Sequence, residues 1–367
     1  MSSCKEAGRE CAKFDHYLIQ QKPFDANPDV AGVGVILATR LSAWFSFAVV
    51  LFVYVLEPSW KSGIFDMKVL FLIQSIRRRL AGLFFSREHL TRSRPQLDSS
   101  SPQRWRFLHG FGACGQTIID QQLAIGRGFA ACVQTISDQQ LAIGIGLLLV
   151  SYIQHCSMTQ YHFGIVYWLA WISFSVHQLA AQVVRLDARH NALSGAWRGA
   201  LIFCFWPLLG VSNVIIHNDH FLAVLGLSTQ CIWADPARIS TAAGWIGLLL
   251  EQLIIAWATL DALRSYSKRI KRLIELLKVV LWIVLILVFA IGGILTSNLA
   301  TILRVFIILL FANIGIDNLQ MAAEKSKAMI GSERDWGFGQ ILPMLLLILP
   351  MLSVVQSLEE TLGLMPP

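Results

Sequence analysis

Charge is scarce in this chain. Of its 367 residues only 14% are Asp, Glu, Lys or Arg, against 55% hydrophobic, whereas soluble domains carry roughly 25% charge. That deficit excludes an ordinary soluble domain and, with long apolar runs, predicts a polytopic membrane protein. No Asn-x-Ser/Thr sequon occurs, so N-glycosylation is not expected. Seven cysteines are present, none in a CxxC pattern, which removes the usual zinc and dithiol redox signatures. HExxH, GxSxG, di-iron histidine boxes, the paired Asp-rich motifs of prenyl transferases and an Asp-Arg-Tyr receptor signature are all missing. The first 28 residues are polar, so a cleavable signal peptide is not expected and the first membrane helix directs insertion.

What is present is organised around Ser137 to Gln154, SDQQLAIGIGLLLVSYIQ. A polar head, Ser137-Asp138-Gln139-Gln140, runs into an apolar stretch. Such groups at the mouth of a membrane helix must face protein or water. Similar words stand just upstream: Ala113 to Gly128 reads ACGQTIIDQQLAIGRG and Ala131 to Gly146 reads ACVQTISDQQLAIGIG. The 18-residue period is five helical turns, so a single helix would form a polar ladder. The alternative is a tandem duplication of which only the second copy enters the membrane.

The fold class expected is all-α: a polytopic transmembrane helix bundle of seven or eight spans with one long basic cytoplasmic loop. Residues 1–29 form a polar extracytoplasmic segment, and 30–56 the first span, with Arg40 inside it. Arg40 either snorkels or pairs with Asp138 or Glu251. Residues 57–112 form the basic loop, within which Phe65 to Phe85 reads as an amphipathic helix on the membrane surface. The bundle occupies 113–355 and a short acidic tail 356–367. Later spans are expected at 162–184, 199–216 (kinked at Pro207), 241–263, 276–297, 299–318 and 336–355, the last kinked at Pro343 and Pro350. Seven spans result if 276–318 is one helix plus a re-entrant piece. Positive-inside counting with eight spans puts the N-terminus outside and loops 57–112, 185–198, 264–275 and 319–335 inside. Cys4, Cys11, Cys156 and Cys231 then lie outside, where disulfides are allowed.

The net charge of +7 is read as topology signal and anionic-lipid contact rather than nucleic-acid binding, since no nucleic-acid module is present. Among polar residues in spans, Glu251 near the middle of its helix is the most expensive and the leading functional candidate. Asp138 and His177 join it as acid/base candidates. Gln139, Gln140, Gln178 and Gln252 are candidates for ligand contact. The His217-Asn218-Asp219-His220 run is read as a polar interfacial loop, because a metal site lacks its third spaced ligand group. No metal and no cofactor are implied.

NPDVAGVGV, SDQQLAIGIGLLLVSYIQ, CSMTQYHFGIVYWLAWISFSVHQLA and WGFGQILPMLLLILP together resemble a group of filamentous-fungal multi-pass integral membrane proteins with an SDQQL motif. The resemblance covers most of residues 27–355, and the long basic loop and upstream DQQ copy depart from it. It implies fold and kingdom and lends little to mechanism. Three functions stay open at this level. They are a receptor-like or structural bundle that takes a small apolar ligand, a membrane-embedded enzyme acting on a lipid or prenyl substrate through Asp138, Glu251 or His177, and a small-molecule transporter whose path is lined by Gln139, Gln140, Glu251 and Gln252.

Overall fold

The structure is a computed structural model, and it describes residues 4, 7–8, 11–19, 21–56, 131–184, 192–221, 223–233, 239, 244–249, 251–253, 255–256, 259, 298–350, 352 and 355. The basic loop 57–112, the upstream DQQ copy at 113–128, the 276–297 span and the acidic tail lie outside these.

The described elements run in order. They are α1 (Phe14–Ile19), β1 (Phe24–Asp25), α2 (Pro28–Ala31), α3 (Val33–Leu56), α4 (Ala131–Ile153), α5 (Gln160–Val184), α6 (Ala192–Ile216), α7 (Gln230–Trp233), α8 (Asn298–Ser326), β2 (Met329–Ile330) and α9 (Phe338–Leu346). Helical residues also occur between 244 and 259. Five of the helices are long and apolar enough to cross a membrane, as an all-α bundle requires. Pro28 opens the first of them, where its missing N–H costs nothing. Pro207 is accommodated inside α6.

Helix α5 is the axis. In its most apolar window 94% of residues are buried, against 33% in both α6 and α8. Its neighbours' directions follow from side-chain contacts. Ser137 and Tyr152 of α4 meet His177 and Phe163, so α4 is antiparallel to α5. Asp138 and Tyr152 meet Arg198 and Ser212, so α6 is parallel to α4. On α8, Arg304 meets Gln178, Gly315 lies against the Trp168 indole, and Ala328 just beyond the helix bonds Phe24, whose ring packs on Tyr161. Helix α8 is therefore antiparallel to α5. Small residues set the closest approaches: a Cβ on Gly144 would stand 2.9 Å from both the Ser173 Cβ and the Phe205 ring.

These directions gather one end of the bundle, here the N-terminal face. It holds β1, the α4–α5 turn, residues 217–233 and the segment 327–340. Segments β1 and β2 form a two-residue parallel ladder, Phe24 to Met329 and Asp25 to Ile330. The Asp29 carboxylate accepts from Gly339 N at 3.2 Å, and Gln340 Oε1 accepts from Gly34 N at 2.8 Å.

Several boundaries differ from the sequence reading. Helix α4 begins at Ala131, so the Ser137–Gln140 head sits six to nine residues inside it, roughly 9–14 Å along the axis. Helix α6 begins at Ala192 and absorbs Arg198. Helix α8 runs on to Ser326, and residues 327–335 lie on the N-terminal face instead of opposite it. The polar residues of 319–326 continue α8, whose backbone groups are satisfied within the helix. The final apolar helix spans only Gly339–Pro350 among the described residues. A turn at Leu347 interrupts it, three residues before Pro350, whose ring nitrogen has no proton to give the Leu346 carbonyl.

Candidate functional site

Within the bundle, α5 presents polar residues to α4 and α8 at one level. Gln140 of α4 donates from Nε2 to Ser42 Oγ of α3 at 2.5 Å and accepts at Oε1 from Ser173 Oγ of α5 at 3.0 Å. One amide thus ties three helices. One turn away, Ser137 Oγ and His177 Nδ1 are 2.8 Å apart, both fully buried. Gln178 accepts from Arg304 at 3.1 Å. The Gln139 amide nitrogen is buried and has no partner among the described residues.

Asp138 is held by a two-point guanidinium contact: Arg198 Nε to Oδ1 at 2.8 Å and Nη2 to Oδ2 at 2.7 Å. Such fork-to-fork pairing fixes direction as well as charge. Arg40 reaches neither of its expected partners. It donates to Asp317 Oδ1 at 2.6 Å and to the Asn313 carbonyl at 3.2 Å, both on α8. The physical reason is adjacency: α8 packs directly on α3, and Asp138 is already neutralised by Arg198.

Glu251 lies midway along the helical residues between 244 and 259. Its partner Tyr167 is seven residues into α5, roughly 10 Å deep. The carboxylate accepts from Tyr167 Oη at 3.4 Å and stands 3.8 Å from His217 Nδ1. Gln252 turns away and donates to the Gly210 carbonyl at 2.9 Å. Sequence reasoning missed Tyr167 and His217. His217 was assigned to a polar loop, and its proximity to Glu251 depends on the antiparallel register of α6 with residues 244–259.

On the N-terminal face a cap closes over the bundle. Cys4 pairs with Cys156 and Cys11 with Cys231. Gln21 bonds Ala223 and Leu225 through its amide. Beneath this strap Glu333, 7% exposed, accepts from Tyr161 Oη at 2.8 Å and lies 3.3 Å from His162 Nε2. Thr159 Oγ1 holds the other imidazole nitrogen at 2.7 Å. A cavity of 510 Å³ opens here, lined by Lys22, Asp25, Cys156, Thr159, His162 and Ser228 among others. Among the described residues the one grouping with metal-ligand spacing is Cys4, His155 and Cys156, and its two thiols are joined in a disulfide.

The candidates therefore fall into two of three places. Asp138, Gln139, Gln140, His177 and Gln178 form an interhelical polar belt, in which Asp138, Gln140, His177 and the Gln178 oxygen are engaged by protein. Glu251 and Gln252 form a second site between α5, α6 and residues 244–259. The third, the capped cavity, has no member among the sequence candidates. Its only sequence signal was the predicted sidedness of four cysteines. No known family, curated protein or solved structure matches this chain.

Proposed function

We propose that the chain is a receptor-like membrane protein of seven spans, with its N-terminal strap on the extracytoplasmic side, that takes a small polar ligand in the cavity beneath the strap. The observation that carries this reading is the cap itself: two disulfides fasten residues 4 and 11 to the loops at 156 and 231 over a 510 Å³ cavity. Disulfides belong to an oxidising compartment, and a partly polar concavity on a rigid scaffold is the default ligand site.

Helix direction supports the span number: the described residues between 244 and 259 run from the N-terminal face, and α8 starts from the opposite face. On this reading the spans are 28–55, 131–153, 160–181, 197–216, 244–259, 299–326 and the one beginning at 339. The basic segments 57–112, 185–191 and 264–278 all fall on the inner side. The basic loop rests against anionic lipid there.

An enzyme or transporter reading is weaker. Asp138 is bound by Arg198 and His177 by Ser137, so two of three acid/base candidates serve packing. The test is thermal stability of the purified protein with free amino acids, di- and tripeptides and sugars at millimolar concentration. Saturable stabilisation by one class, lost in Ser157→Trp, which fills the cavity, is the expected result. No stabilisation, or stabilisation indifferent to Ser157→Trp, rejects the reading.

A further inference from the structure

Apart from Asp29 and Glu324, which stand within the first or last three residues of their spans, three carboxylates lie within the described spans, and two have arginines. Asp138 has Arg198 at 2.7 Å and Asp317 has Arg40 at 2.6 Å. The third, Glu251, has among the described residues only Tyr167 Oη at 3.4 Å and an imidazole nitrogen at 3.8 Å. That nitrogen, His217 Nδ1, is 2.9 Å from the Asn213 carbonyl. A carbonyl only accepts, so the Nδ1 proton is committed there and not to Glu251. Among the described residues Glu251 therefore has a hydroxyl as its hydrogen-bond donor and no hydrogen-bonded cation, a costly setting for a carboxylate in a membrane span.

The surroundings have the chemistry of an ammonium site. The Tyr167 ring, whose hydroxyl meets Glu251, packs edge-on to Trp171 at 6.4 Å. An aromatic ring beside a carboxylate is what a protonated amine selects. Asn213 is fully buried, and neither its amide nitrogen nor its oxygen has a partner among the described residues. It lies on the α6 face shared by Gly210 and His217, the residues that meet Gln252 and Glu251. An amide oxygen there is a ready acceptor for an N–H.

The site also opens sideways. The Glu251 side chain is 34% exposed. Ile246 and Leu249, on the same segment, and Val211 of α6 present exposed apolar surface. A ligand reaching Glu251 this way would lay hydrocarbon along them. We propose that Glu251, Tyr167 and Asn213 bind the head of an amphipathic primary amine that enters from the outer leaflet. The ammonium supplies the hydrogen-bonded cation that the described residues do not give Glu251, and its chain lies against residues 246–249 and 211. This site is separate from the capped cavity, and Ser157→Trp should leave it unaffected.

The experiment uses the full chain in phosphatidylcholine nanodiscs, titrated with dodecylamine, dodecanol and butylamine and followed by tryptophan fluorescence. Wild type should respond saturably to dodecylamine, not to dodecanol, and at least tenfold more weakly to butylamine. Glu251→Gln should weaken the amine at least tenfold at unchanged thermal midpoint, while Glu251→Asp retains most of the affinity. Should Glu251→Gln fail to fold, Asn213→Leu takes its place, with a several-fold loss expected. Equal responses to amine and alcohol, equal affinity for butylamine, or unchanged affinity in these variants overturns the proposal.

Discussion

Arg40 of α3 and Asp317 of α8 stand 2.6 Å apart, Nη2 to Oδ1. This contact joins the first span to the penultimate one and fixes their antiparallel register. The Arg40 side chain is 24% exposed and that of Asp317 55%, so the pair is only partly screened from its surroundings. Removing the carboxylate strands the guanidinium at membrane depth. Asp317→Asn is expected to lower stability by about 1–3 kcal/mol. Adding Arg40→Gln should recover part of that loss. Denaturation midpoints in detergent measure both. A double variant no better than Asp317→Asn would mean that the two charges do not act as a pair.

The two cap disulfides close loops of 152 and 220 residues in sequence. Peptide mapping without reduction should recover Cys4 joined to Cys156 and Cys11 joined to Cys231. Cys132 and Cys204, free in the structure, should be alkylated once the protein is denatured. Replacing one pair with serine should lower stability, by at most about 5 kcal/mol on the chain-entropy account, read as a fall in the thermal midpoint. Recovery of Cys4 with Cys231 would contradict the cap.

Gln140 should behave as a three-helix hub. A double-mutant cycle between Ser173→Ala and Gln140→Leu is expected to show coupling of about 0.6–1.7 kcal/mol, the range of interhelical hydrogen bonds in membranes. Additive effects would mean that the amide faces elsewhere.

Gly315 lies where α8 crosses Trp168, and a Cβ there would run into the indole. Gly315→Val is expected to cost about 1–3 kcal/mol through overpacking. Trp168→Phe should relieve it in the double variant. A Gly315→Val protein as stable as wild type would separate α8 from α5 at this point.

Much of this fold was legible in the sequence, because apolar runs long enough to cross a bilayer mark α3, α5 and α6 whatever they pack against. The cysteine sidedness was legible too, since it follows from counting crossings between Cys4, Cys156 and Cys231. What stayed hidden depends on rotation and depth. Arg40 could be paired with any carboxylate until α8 was seen beside α3. Glu251 meets Tyr167 and His217 only because residues 244–259 run antiparallel to α6. Glu333 lay in a segment that charge counting placed inside. Its burial against Tyr161 and His162 comes from the β1–β2 pairing, two residues long and without a sequence signature. The polar head at Ser137–Gln140 was found but misplaced at a helix mouth, since the apolar count cannot see that VQTI before it continues the same helix.

The sidedness of residue 334 tests the seven-span account most directly. Single cysteines are introduced at Lys13, Arg334 and Arg189 in a chain whose unpaired cysteines are replaced by serine, and each is labelled in sealed vesicles with a membrane-impermeant maleimide. The expected result is that Lys13→Cys and Arg334→Cys label from the same side and Arg189→Cys only after permeabilisation or in inverted vesicles. Labelling of Arg334→Cys from the side opposite Lys13→Cys would contradict the helix directions on which the account rests.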